Sequence, residues 1–150
     1  MSRVRGPAVL ALGAALVSGC VAPARTTAEY AAKAAMTAED AVSAARTALL
    51  AADAYVDDDL LTGYLEPTLV DAEKTIGSVQ ATFDSVQPPA TAAADELRAT
   101  LDPLLEDAGA AVTDMRIAAR RDRTPALREA AAQLARAADE LDAFAEENAP

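Results

Sequence analysis

The sequence predicts an all-α protein, an antiparallel up-down-up-down four-helix bundle with proline-bent second and third helices, on three observations. Apolar residues recur at alternating spacings of three and four along most of the chain after Thr26, the signature of one helical face. Three turn signals, Asp57-Asp58-Asp59, Gln87-Pro88-Pro89 and the stretch from Arg120 to Pro125, cut that pattern into four segments. Sustained two-residue alternation and β-branched enrichment, which would mark strands, are lacking. Amphipathic helices joined by short turns pack as neighbours in a bundle.

Thr26-Thr27-Ala28-Glu29 has the form of a capping box, in which Thr26 accepts the amide of Glu29 while the Glu29 side chain returns to Thr26. Helix 1 is expected from about Thr27 to Val56. Its seam is Ala31, Ala35, Ala38, Val42, Ala45, Leu49, Ala52 and Val56. The three aspartates that follow suit the start of helix 2 through its dipole. Leu61, Leu65, Leu69, Ala72, Ile76, Val79, Phe83 and Val86 make the second seam. Pro67 lies inside it and removes one helical hydrogen bond. The unbroken apolar register favours a bend there, and the restriction on Glu66 keeps a break as the alternative.

Pro88-Pro89 ends helix 2, and Pro89 suits the first position of helix 3. Ala94, Leu97, Leu101, Leu104, Ala108, Ala111, Met115 and Ala118 carry the third seam, widened by Leu105 and Val112, with Pro103 repeating the situation of Pro67. Arg120-Arg121-Asp122-Arg123 suits a helix C-terminus. Thr124-Pro125 then reads as N-cap and first residue of helix 4, whose face is Leu127, Ala131, Leu134, Ala138, Leu141 and Phe144 or Ala145.

The beginning of the chain has a different character. Arg3 and Arg5 precede an apolar run from Gly6 to Val17, too short to span a bilayer, and then Val17-Ser18-Gly19-Cys20. A charged start, a short apolar stretch and small residues describe a secretory signal. Val17-Ser18-Gly19-Cys20 resembles the lipobox of bacterial lipoproteins, with Val17 where such segments most often carry Leu. The resemblance implies cleavage after Gly19 and a diacylglycerol-modified Cys20 as the new first residue. It divides the chain into a lipoprotein signal peptide (1–19), a lipidated tether (20–25) and a four-helix domain (26–150). Two acyl chains suffice for stable anchoring. Cys20 is the sole cysteine, so an intramolecular disulfide is excluded.

Composition narrows the function further. The net charge is −11, and loss of Arg3 and Arg5 makes it −13. Such an excess of acid argues against nucleic acid as a partner, whose phosphates call for a basic face. It also argues against the body of the domain lying flat on anionic lipid. Alanine is the commonest residue, and arginine far outnumbers lysine. In this composition the mature part resembles the uncharacterised small helical lipoproteins of high-GC Gram-positive bacteria. The chain has no histidine and no tryptophan. The commonest general base and metal ligand is therefore missing, and a ferritin-like Glu-x-x-His site cannot be built.

Two clusters are candidate sites. Arg116, Arg120, Arg121 and Arg123, followed by Arg128, form the concentrated basic stretch, suited to an anion or a protein partner. Asp57, Asp58 and Asp59 offer oxygens for a weak cation site but lack the alternate ligand spacing of a calcium loop. If helix 1 climbs away from the membrane, both clusters lie at the far end, where the simpler reading is mutual neutralisation and helix capping. Ser43, Ser78 and Ser85 have no base to activate them, and Gly63, Gly77 and Gly109 form no phosphate loop. The expectation is a non-enzymatic envelope lipoprotein without cofactor or metal, held on the extracytoplasmic face of a cell membrane. It would act as an interaction, adaptor or accessory protein on an envelope partner. The alternative is a small-ligand or cation sensor opening between the bent helices. Self-association through the alanine seam is a third expectation.

Overall fold

The computed structural model describes residues 24–57 and 60–150, and the lipobox-like segment with Cys20, Asp58 and Asp59 lie outside them. The described residues form four α-helices and no strand: α1 (Thr27–Val56), α2 (Thr62–Asp84), α3 (Ala92–Arg120) and α4 (Thr124–Asn148). At 1.5 Å per residue α1 is about 45 Å long. No helix among the described residues is long and apolar enough to cross a membrane.

Helix α1 opens as its sequence dictates, with one displacement. Thr26 is extended and its Oγ1 accepts the Glu29 amide at 3.1 Å. The Glu29 carboxylate, however, accepts the amide of Arg25 at 2.7 Å in place of that of Thr26. The cap thus reaches one residue further back, and Ala24 is already buried against the core. Asp57 closes α1, its amide donating to the carbonyl of Asp53, and no acid stands in the first turn of α2.

Helix α3 begins at Ala92, three residues after the expected Pro89. Thr91 decides this: its Oγ1 accepts the Ala94 amide at 3.2 Å, satisfying a donor that a proline side chain cannot. The α3–α4 turn is equally specific. The amide of Arg123 donates to the Ala118 carbonyl and that of Asp122 to Ala119, with Asp122 at φ 50°. This is a Schellman closure with aspartate in the left-handed position usually given to glycine. It leaves Arg123, not Thr124, as the N-cap of α4, so that Pro125 is the second helical residue.

Both α2 and α3 run on as single helices through Pro67 and Pro103. Threonines inside the helices settle their hydroxyls locally: Thr37, Thr47, Thr68, Thr82, Thr100 and Thr113 each donate to the carbonyl four residues back.

Helix α1 packs against all three others, whereas the backbone Cα atoms of α2 and α4 nowhere come within 8 Å of each other among the described residues. The reason lies in α1. Ala34, Ala38, Ala41, Ala45 and Ala48 are fully buried, and their small side chains let α3 approach α1 across the diagonal. The bulk is supplied from the other helices by Leu65, Leu69, Ile76, Phe83, Leu101, Leu105, Met115, Leu127, Leu134 and Leu141. No polar or charged residue among those described is buried.

Candidate functional site

The basic stretch divides once its neighbours are in place. Arg116 faces Glu73 of α2 in a two-pronged pair, Nε to Oε2 at 2.7 Å and Nη2 to Oε1 at 3.3 Å. The hydroxyl of Thr113 donates to the same carboxylate at 2.9 Å. The guanidinium hydrogen bond, reinforced by Thr113, holds the Glu73 carboxyl below its ordinary pKa against the opposing effect of its partial burial. One turn further along, Arg120 reaches Glu66 at 3.5 Å, a looser pair with both partners exposed. Arg116 and Arg120 are thus engaged by α2. Arg121 and Arg123 sit exposed in the α3–α4 turn on either side of Asp122, and Arg128 is exposed on α4.

Asp57 is exposed at the end of α1. Among the described residues no group of three or more Cys, His, Asp or Glu side chains gathers to hold a metal ion.

A second polar cluster lies near the opposite end of α3, and the apolar pattern gave no warning of it. Arg98 donates from Nε to Oη of Tyr30 at 2.9 Å and from Nη2 to the Val86 carbonyl at 2.9 Å. Its guanidinium lies 5.7 Å from the centre of the Phe83 ring, and Phe83 packs on Tyr30 with ring centres 5.1 Å apart. One arginine therefore ties the start of α1 to the end of α2. The Tyr30 hydrogen bond raises the Arg98 pKa above the ordinary arginine value, so the side chain stays charged. Asp102, one turn on, has a buried Oδ1 with no hydrogen-bond partner. Burial, followed by the nearby Asp84, pushes its carboxyl above the usual range, with Arg98 opposing. The signal that marks Arg98 in the sequence is its place beside Leu97 and one turn from Ala94 and Leu101, on the edge of the α3 seam.

The bundle carries surface grooves. One of 360 Å³ between α1 and α4 is lined by Leu49, Ala52, Val56, Leu127, Ala131 and Ala135, with Asp53 and Arg128 at its rim. A more open one of 500 Å³ lies beside Arg46, Leu50 and Asp142. Both exceed the roughly 300 Å³ of a small-ligand pocket, but they lie open on the outside; the first is mostly apolar, and the second is lined chiefly by polar residues, among them Glu39, Ser43 and Thr47.

No protein-family model, no curated protein and no solved structure matches this chain.

Proposed function

We propose that this protein is a lipid-anchored component of the cell envelope, held through a diacylated Cys20 on the extracytoplasmic face of a membrane and acting on a protein partner without catalysis. The observation that carries the reading is the order of Arg3 and Arg5, the apolar run from Gly6 to Val17, and Val17-Ser18-Gly19-Cys20. The partner surface is the α3–α4 turn, where Arg121 and Arg123 stand exposed, since Arg116 and Arg120 are held by Glu73 and Glu66.

The bundle runs up-down-up-down, antiparallel, with α2 and α3 bent at their prolines. Supporting the antiparallel course, α2 and the turn after it meet α3 through Glu66 with Arg120, Glu73 with Arg116 and Val86 with Arg98, so numbers rise on one side as they fall on the other. On α1 and α4, Arg46 pairs with Asp142, while Leu49 to Val56 share a groove with Leu127 to Ala135.

Intact mass and membrane fractionation of the wild type and Cys20→Ala test the anchor. A diacyl increase in mass and a membrane recovery that the variant loses are expected. Unmodified protein in the medium for both would overturn the reading. The partner surface is tested by pull-down with the acylated protein. A specific partner lost on charge reversal of Arg121 and Arg123 supports it, and unchanged recovery overturns it.

A further inference from the structure

We propose that the end of the bundle formed by the Ser85–Ala94 stretch and Thr26–Ala28 is a docking face for the lipid headgroups of the anchoring membrane, an assignment that rests on the lipid anchor at Cys20. The first reason is reach. Ala24 is buried against the core, and the amide of Arg25 is held by Glu29. Only Val21, Ala22 and Pro23 separate Cys20 from Ala24. Four Cα–Cα steps span at most about 14 Å. That reach keeps the end where α1 begins at the bilayer, and α1 carries the opposite end of the bundle about 45 Å along its axis from there.

The second reason is what lies at that end. The Thr27 and Thr91 hydroxyls are 3.1 Å apart, placing the start of α3 beside the start of α1. Arg98 holds the Val86 carbonyl and the Tyr30 hydroxyl together, fixing the α2–α3 turn to the same end. Ser85 to Ala94 contains no ionisable side chain, although a quarter of the whole chain is charged. Asp57, Arg120, Arg121, Asp122 and Arg123 crowd the other end. Approaching a headgroup layer strips water from whatever comes first, and stripping it from charges is costly. A turn of Gln87, Pro88, Pro89, Ala90 and Thr91 avoids that cost, and exposed Arg25 beside it suits anionic headgroups. The face carries no large apolar wedge, and Glu29, Asp84 and Asp95 stand close above it. It rests at the headgroups and does not insert.

Helix α4 supplies the third reason. From the Arg46–Asp142 pair, α1 continues about 28 Å to Thr27, whereas α4 continues only about 9 Å to Asn148. In the antiparallel arrangement α4 stops roughly 13–20 Å short of the start of α1. The acidic Glu146 and Glu147 at the end of α4 are thereby set further back from the bilayer than Glu29, Asp84 and Asp95. The face that meets lipid is built from three helices.

The test uses the acylated protein in membranes containing a lipid with a headgroup nitroxide, with a fluorophore on Ala90→Cys, on Gln87→Cys or, at the far end, on Gly63→Cys. Ala90 and Gln87 are exposed, and a side chain added at Gly63 meets no other atom within 4 Å. Quenching at positions 87 and 90 at least threefold stronger than at 63 is expected. Equal quenching at the three positions, or stronger quenching at 63, in protein that remains membrane-bound would overturn the docking face and leave the anchor standing. Labelled protein recovered in the soluble fraction with an unmodified Cys20 would overturn both.

Discussion

Replacing Tyr30 by Phe removes one oxygen from a residue with no exposed surface, and the consequence can be worked from its surroundings. The ring keeps its packing on Phe83, so no cavity opens. What is lost is the acceptor for Nε of Arg98. Hydrogen bonds to charged groups contribute about 1.5–3 kcal/mol. Arg98 is half-buried and water can partly replace the phenol, so about 1–1.5 kcal/mol is expected. Arg98→Met keeps a long apolar stem but leaves both the Tyr30 hydroxyl and the Val86 carbonyl without their donor, at about 2–3 kcal/mol. In the double variant Tyr30→Phe adds almost nothing, because the partner it served is gone, and the coupling energy is about 1 kcal/mol. Urea unfolding at pH 7 measures all four proteins, with an unchanged slope required for the comparison. A Tyr30→Phe cost below about 0.3 kcal/mol, together with strict additivity in the double variant, would refute the cluster as a tie between α1 and α2.

Three further changes have definite signs. Asp102 has a raised folded-state pKa, so the stability it contributes is fully present at low pH and lost as pH rises through that value. Asp102→Asn should stabilise the protein by about 1 kcal/mol at pH 7, a gain that fades as the urea titration is repeated toward pH 4. Glu73 has the opposite sign: its lowered pKa makes its contribution present above about pH 4.3 and lost as pH falls further. Glu73→Gln should cost about 0.5–1 kcal/mol at neutral pH, with a cost that shrinks in acid. Asp122 occupies the left-handed position of the α3–α4 turn, so Asp122→Gly should raise stability by about 0.5 kcal/mol and Asp122→Val lower it by more, read as shifts of the thermal midpoint.

The fold was legible because its information is local and periodic. The span of α1 and the burial of Leu65, Leu69, Ile76, Leu101, Leu134 and Leu141 follow from spacing alone. The start of α3 was not, because Pro89 and Thr91 both suit a helix entrance and the choice turned on whether a hydroxyl could reach the Ala94 amide. Seam positions blurred wherever alanine stood on both sides of the inward line: Ala34, Ala41 and Ala48 are buried, while Ala31 and Leu49 are only half-covered. Alanine fits an interior and a surface equally well, so periodicity cannot rank it. The arginine stretch was visible as composition, but its division was not. Which arginines are held depends on Glu66 and Glu73, about fifty residues earlier in the chain, meeting them across the α2–α3 interface. Arg98 was missed for a related reason. A residue at the edge of an apolar face reads as solvated until a tyrosine from α1 and a carbonyl from the α2–α3 turn converge on it.

These features share an origin in the unequal bulk of the four helices. An α1 lined with alanine fills little volume, so the interior closes only if α3 comes in across the diagonal and α2 and α4 are pushed apart. That arrangement buries Leu and Ile along the middle and leaves the two ends to be closed by other means. At one end the closure is ionic and exposed: a Schellman turn with charged residues, and Arg120 leaning on Glu66. At the other it is aromatic: Tyr30 on Phe83, clasped by Arg98, under a turn without charge. A water-facing protein has no need of such asymmetry, since charged turns serve equally well at both ends. Under the proposed anchoring at Cys20, the uncharged turn would be the one nearest the lipid, where desolvating a charge is costly, and the ionic turn would be the one open to a partner. The difference between the two ends is thus a property of the bundle itself, and the proposed anchor at Cys20 assigns a side to each.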